Sequence, residues 1–323
     1  MSLGEFDLIA KYFTRRSARK DVLLGVGDDA ALLAVPPGRA LVAATDTLVE
    51  GRHFLAGTPA RSIGHNALAV NLSDLAAMGA EPAWALLSLS LPSPDEHWLE
   101  EFSGGLLALA DSYGVALVGG DTVRGPLVVT IEVLGFVEPE RALRRSGARP
   151  GDLLYVSGWP GESAAGLEIL RRSGRFEETA DPLVRRHLYA EPRVALGREL
   201  GGLASAAMDV SDGLLGDLRK LCAASGVGAT LELDALPLSA ALRTRCTPDE
   251  CEHYVLSGGD DYELLFTVPP GAESRIDALD RRAATAGGPR LTRIGRIEPG
   301  HVVRCTRGGR AVELDEAGFD HFA

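Results

Sequence analysis

Five apolar stretches of this sequence run into aspartate. They are Val26-Gly27-Asp28-Asp29, Leu41–Asp46, Asn71-Leu72-Ser73-Asp74, Val118-Gly119-Gly120-Asp121 and Asp209-Val210-Ser211-Asp212-Gly213. A carboxylate at the mouth of a buried strand is costly unless something positive meets it. Carboxylates gathered from separate elements repel one another or take up protons unless a cation joins them. Hard divalent ions such as magnesium take oxygen ligands and keep several waters. One such aspartate is ordinarily a turn or a helix cap. Four endings of this kind in the first half shift the reading: Asp28, Asp29, Asp46, Asp74 and Asp121 point to divalent metal carrying a nucleotide.

The phosphate side of that chemistry has candidates too. Gly119-Gly120-Asp121-Thr122 offers backbone N–H groups with no side chain in the way. Arg144 and Arg145 could clamp a phosphate, or could simply be a solvated linker. Lysine is confined to Lys11, Lys20 and Lys220, so a phosphate site is expected to use arginine, backbone or metal. Gly25-Val26-Gly27-Asp28-Asp29-Ala30 formally matches a dinucleotide fingerprint, but two carboxylates would face the pyrophosphate and no helix follows before Pro36. No G-x-x-x-x-G-K-[ST] loop and no protein-kinase signature set occurs. His53, after a glycine turn beside the Asp46 stretch, is a candidate substrate contact. Ser257–Leu264 places Asp260, Asp261 and Glu263 at another glycine turn, whose plain reading is a capped turn.

The elements that must position these residues alternate in type. Residues 4–14 have near-helical apolar spacing. Strands are expected at Val22–Val26, Leu41–Asp46, Trp84–Leu91, Val115–Val118 and Leu127–Val137. Helices are expected from Pro59 to about Met78 and from Ser93 or Asp95 to about Ser112. Asn71 and Asp74, three apart, share a helix face. The class is α/β, with an antiparallel arrangement left open (α+β). The charged segment 138–150 separates a first domain, 1–138, from a second, 139–323. In the second, strands are expected at Asp152–Ser157, Ala206–Val210, Thr230–Leu233, Tyr262–Val268 and Leu291–Ile297. Helices fall at Ser163–Arg172, Arg185–Leu188, Arg193–Leu200, Leu214–Ser225 and Ser274–Ala286.

The bulk numbers agree with two globular domains: 323 residues, 46% hydrophobic. A net charge of −12 with no basic run argues against nucleic-acid binding. The four cysteines form no C-x-x-C, which suits reduced thiols. No signal-peptide pattern opens the sequence and no apolar run could span a bilayer, so a cytoplasmic protein is expected.

The motifs together resemble the thiamine-monophosphate kinase family. The resemblance rests on Gly27-Asp28-Asp29-Ala30, Thr45-Asp46-Thr47-Leu48-Val49, Gly51-Arg52-His53-Phe54 and Asn71–Gly79. It continues through Gly119–Thr122, Arg145-Ser146-Gly147-Ala148, Asp209–Leu214 and Gly258–Leu264. It runs from Gly4-Glu5-Phe6 to Phe322 and implies a two-domain fold of the aminoimidazole-ribonucleotide-synthetase type. In that fold the N-terminal sheet forms a barrel across a homodimer. The implied reaction moves the γ-phosphoryl group of ATP onto thiamine monophosphate, with several Mg2+ ions and no phosphoenzyme. The resemblance puts metal on Asp29, Thr45, Asp46, Asp74, Asp121, Asp209 and Asp212, nucleotide on Gly120, Asp121, Arg145 and Ser211, and substrate on His53, Glu263 and Phe319. Asp46, Asp121 and Asp212 would be the catalytic acids. Asp260 stands where relatives commonly have Glu, and Phe319 where an aromatic with a polar group is common. Two rivals stay open: a sister enzyme of the superfamily with another acceptor, and a non-catalytic sensor of ATP or thiamine phosphates.

Overall fold

The computed structural model describes residues 4–15, 17–176 and 181–314. The chain divides into two compact units. The first takes residues up to Leu75, Ala80–Pro139 and Leu188–Ala190, and the second takes Ala76–Gly79, Glu140–His187 and the chain from Glu191 onward.

The first unit opens with a short helix α1 (Glu5–Leu8), continued by a π-helical turn Ile9–Phe13, and a small hairpin of β1 (Val22–Leu24) and β2 (Leu32–Leu33). There follow β3 (Ala40–Val49), α2 (Ala60–Ala77), β4 (Glu81–Leu91), α3 (Glu96–Tyr113), β5 (Ala116–Arg124) and β6 (Val128–Val137). The last four strands form a mixed sheet in the order β3-β6-β4-β5. β4 and β5 run parallel, joined by α3, and β6 is antiparallel to both its neighbours. Asp95 caps α3 by accepting from the Trp98 N–H, and Gly114 ends it in the left-handed conformation.

Strand alternation sorts this sheet into two faces. Val129, Ile131 and Val133 of β6 are fully buried, as are Leu68, Leu72 and Leu75 of α2 and Leu99 and Phe102 of α3. On the other face Trp84 and Phe136 meet edge to face at 5.0 Å. Val22, Ala31 and Leu33 of the hairpin pack over that pair, and Trp84 Nε1 donates to Asp21 at 3.1 Å. The hairpin covers only part of this face.

The second unit holds β7 (Leu153–Ser157), α4 (Glu162–Ser173), α5 (Pro182–Leu188), α6 (Val194–Leu200), β8 (Ala206–Val210), α7 (Leu214–Ser225) and β9 (Gly228–Glu232). It continues with α8 (Ala240–Arg245), α9 (Pro248–Ser257), β10 (Glu263–Val268), α10 (Glu273–Thr285), β11 (Leu291–Glu298), β12 (Val303–Arg307) and β13 (Arg310–Val312). Its sheet runs β13-β12-β9-β11-β7-β10-β8. β7, β8 and β10 are buried at every position, as befits strands covered on both faces.

Several expectations need correction. β3 does not end at Asp46 but continues to Val49, and β5 passes through Gly119-Gly120-Asp121 to Arg124. Asp46 and Asp121 therefore sit inside strands. β3 is an edge strand with exposed positions at Thr45, Asp46 and Thr47, so polar residues cost little there. In β5 the register slips beside Ala85 and Leu86, a bulge at Val118 that the two glycines follow. β2, α8, β12 and β13 were not foreseen, because short segments lack enough periods to register, whereas the ten-residue α9, also unforeseen, was readable from Pro248 and the Thr247–Glu250 capping box at its start. The four-stranded sheet is open among the described residues, with β3 and β5 as its edges, and the expected barrel is one that two chains would share.

Candidate active site

The uncovered part of the first unit's sheet face bounds a cavity of about 1170 Å3. Two cross-strand rows supply its floor. Thr45, Glu132, Leu86 and Gly119 stand opposite one another in register, and Thr130, Ser88 and Asp121 form the next row. Asp28, Asp29 and Gly27 line the wall, beside Gly120 and Thr122. Phe6, Ile9 and Phe13, from α1 and the π-helical turn, add an apolar side. One cavity thus joins oxygen donors, bare backbone and apolar surface, the mixture a nucleotide needs.

Local structure fixes several of these groups. Gly120 has φ of +150°, and a Cβ there would fall on the Leu87 carbonyl; only glycine lets β5 lie this close to β4. Asp28 turns back so that Oδ1 accepts from the Asp29 N–H at 2.8 Å. Thr45 Oγ1 donates to the Ile131 carbonyl at 3.0 Å.

The sequence-derived acids divide between places. Asp28, Asp29, Thr45, Gly120 and Asp121 share the cavity. Asp46 is opposite Ile131 in register, so the pleat turns it to the other face from Thr45. Asp74 lies on α2, half-buried, one turn after fully buried Asn71. Asn71 Nδ2 donates to the Ala67 carbonyl at 2.9 Å, while its Oδ1 is buried without a hydrogen-bond partner. His53 sits in the turn after β3, and its Nδ1 accepts from the Val49 N–H at 3.0 Å. That bond leaves the neutral ring's proton on Nε2.

In the second unit, Asp209 is buried in β8 beside Leu264 of β10. The turn into α7 carries Ser211 and Asp212. Asp217, fully buried in the first turn and a half of α7, accepts from the N–H groups of Ser211 and Asp212 at 3.0 Å each through Oδ2. Burial pushes its carboxyl up, against the opposing pull of Lys220. Lys220 Nζ donates to Asp212 at 2.5 Å and to Asp217 at 2.8 Å. The Asp260 N–H donates to the Ser211 carbonyl at 2.8 Å, which lays the Gly258–Asp261 turn along the same loop. Arg145 is exposed, and its carbonyl accepts from Ser225 Oγ at 2.9 Å.

Glu263 is fully enclosed. Oε2 accepts from Arg193 Nε at 2.7 Å and Ser157 Oγ at 2.5 Å, and Oε1 accepts from Arg186 at 2.7 Å and Arg193 at 2.5 Å. Burial would raise its carboxyl, but the two guanidiniums prevail and hold it below the usual range. Both oxygens are engaged by these partners, and the side chain is 1% exposed. Gly158 is what lets this carboxylate in, since a Cβ there would stand 2.0 Å from Oε1. Asp261, also fully buried, accepts from the Gly161 N–H at 2.7 Å and pins the entry to α4. Phe319 lies outside the described residues.

Sequence reasoning missed Glu132, Asp217 and Lys220. Glu132 was legible: it interrupts the apolar alternation of β6 on the cavity face. Asp217 and Lys220 looked like ordinary helix-surface charges, and nothing in their spacing distinguishes them.

The donors suit magnesium in a particular way. Among the described residues no three acidic, histidine or cysteine side chains stand close enough to hold a metal ion by themselves. Magnesium usually takes one or two carboxylates and completes its shell with water and substrate phosphates. Asp121, Asp29 and Thr45 around one cavity fit that mode, and the Lys220 ammonium already stands as a cation on Asp212.

The fold and these sites can be compared with known proteins. Residues 27–137 match the AIR synthase related protein N-terminal domain, and residues 149–307 match the corresponding C-terminal domain. The two in succession define a protein of the AIR synthase related class. Thiamine-monophosphate kinase of Escherichia coli K12 is 50% identical over 327 residues, covering 100% of this chain and 99% of the relative. The crystal structure of thiamine-monophosphate kinase from Stenotrophomonas maltophilia K279a is 46% identical with a TM-score of 0.84, over 91% of this chain and 93% of that one. AaThiL complexed with AMPPCP and TMP is 34% identical with a TM-score of 0.78, over 90% and 89%. The chain belongs to the thiamine-monophosphate kinase family. Among the described residues no helix is long and apolar enough to cross a membrane.

Proposed function

We propose that this protein transfers the γ-phosphoryl group of ATP to the phosphate of thiamine monophosphate, giving thiamine diphosphate and ADP. The observation that carries the reading is the AaThiL complex. A chain of the same fold, aligned over 90% of this one, holds an ATP analogue together with TMP.

An acceptor phosphate oxygen forms the new P–O bond as the bond from the γ-phosphorus to the bridging oxygen breaks, and ADP leaves. The acceptor is already largely anionic at neutral pH, so no general base is required. Repulsion between two phosphates is the obstacle, and positioning with charge neutralisation supplies the rate. Magnesium, when bound, neutralises the phosphoryl oxygens. Asp29, Thr45 and Asp121 offer it oxygen from the cavity, with Asp46 and Asp74 as further donors of the first unit. Asp209 and Asp212 are the donors of the second. Gly120 presents its N–H to a phosphate, and Arg145 and Ser211 serve the nucleotide. His53 and Phe319 are the residues of this reading that serve substrate, His53 through Nε2. Glu263 acts on substrate indirectly, by holding Arg186 and Arg193. A homodimer, formed through the open sheet, completes the reading.

The test is formation of ADP and thiamine diphosphate from ATP and thiamine monophosphate, with and without EDTA. Equimolar products that vanish with EDTA support the proposal. Tight ATP binding without ADP release would instead favour a sensor.

A further inference from the structure

Lys220 is one of only three lysines in a chain whose other cationic side chains are arginines and histidines. Its ammonium bridges two carboxylates of unequal standing. Asp217 is fully buried and bonded to the loop's own backbone through Oδ2, and its other oxygen accepts from Lys220 at 2.8 Å. The Asp212 side chain is 32% exposed, and Lys220 Nζ lies 2.5 Å from its Oδ2. We propose that Lys220 is an internal counter-cation that occupies Asp212 until divalent metal displaces it, with Asp217 as the tether that keeps the ammonium beside the loop. This rests on the reading of Asp212 as a metal ligand.

The geometry makes the exchange inexpensive. Leaving a buried carboxylate without its cation is costly, but the ammonium can give up Asp212 while still bonded to Asp217. The partner released is the solvent-facing one, where an ion pair contributes little. Lysine suits the task because its charge is compact, strongly hydrated and carried on a flexible stem, whereas an arginine fork would bind the carboxylate more rigidly. Meanwhile Asp217 holds the N–H groups of Ser211 and Asp212, so the loop keeps its shape whichever cation is present. Lys220 and Asp217 are thus positioning residues for the transfer.

The experiment is Mn2+ titration of the full chain by calorimetry at fixed ionic strength. It compares wild type with Asp212→Ala, Lys220→Gln and Lys220→Arg. Asp212→Ala defines the sites that depend on this loop. Lys220→Gln keeps a donor for Asp217 but removes the competing charge, and should bind Mn2+ at the Asp212-dependent site about two- to five-fold more tightly, the size of an exposed ion pair. Lys220→Arg keeps the charge and should bind no more tightly than wild type. A Gln variant that binds Mn2+ with unchanged or weaker affinity overturns the displacement, even where Asp212→Ala abolishes the site. If Asp212→Ala leaves Mn2+ stoichiometry unchanged, the metal reading of Asp212 falls, and this inference falls with it.

Discussion

An ideal Cβ on Gly120 would lie 1.8 Å from the carbonyl oxygen of Leu87. The contact is backbone, so no side chain can swing away to relieve it. Gly120→Ala must push β5 from β4 or flatten the bulge, and either moves Asp121, the next residue. The expected result is a stability loss of about 1–3 kcal/mol and a fall in kcat/KM for ATP larger than the fall in folded protein. Urea unfolding beside steady-state kinetics separates the two.

Asp121 is exposed on the cavity floor opposite Ser88. Asp121→Asn keeps its shape and removes its charge. Turnover should fall by about 10²-fold or more, the scale of losing one electrostatic group at a phosphoryl-transfer site, and the melting temperature should barely move. Asp46→Asn is expected to lose turnover as well. Wild-type kcat in either variant at saturating magnesium refutes its assignment.

Glu263 lets the sign of a pH effect be worked out. Its folded pKa is depressed by Arg193 and Arg186 in spite of burial. The pairing therefore contributes fully above the unfolded value of about 4.3, and is lost as pH falls through the lower folded value. Glu263→Gln strands two buried guanidiniums and should cost about 3–5 kcal/mol at pH 7. The gap between variant and wild type should close only in stronger acid. Denaturant titrations at pH 7 and pH 3 read it directly.

Cys222 is 1% exposed, and burial pushes its thiol up to about 11. The thiolate is the reactive form, so native protein at pH 8 should alkylate at half-buried Cys246 well before Cys222. Denaturant should abolish the difference. Mass spectrometry of iodoacetamide-treated peptides gives the order.

Much of this molecule could be read from its residues. Ala206–Val210 followed by Ser-Asp-Gly and then Leu214–Ser225 reads as strand, turn and helix, because each change of period has a turn residue at its border. Asp28, Asp29 and Asp121 of the first unit share a cavity, but Asp46 and Asp121 stand inside strands and not at their ends. A run of apolar residues meeting Thr45-Asp46-Thr47 looks like a strand's end. It is in fact an edge strand passing into water, and a single strand's sequence cannot announce which neighbours it lacks. Glu263 shows the opposite limit: an acid beside glycines suggests an open site, whereas Arg186, Arg193 and Ser157 close over it. Those partners lie 70 to 106 residues away in sequence, beyond any local pattern.

β3 offers ten residues along the outer margin of its sheet and, among the described residues, borders only β6. In the proposed homodimer a second chain would cover this edge, and a subunit released by dilution would expose its outward-facing amide and carbonyl groups, with which any extended peptide can pair. Specific activity should then decay on dilution into bare buffer and survive in the presence of an inert carrier protein.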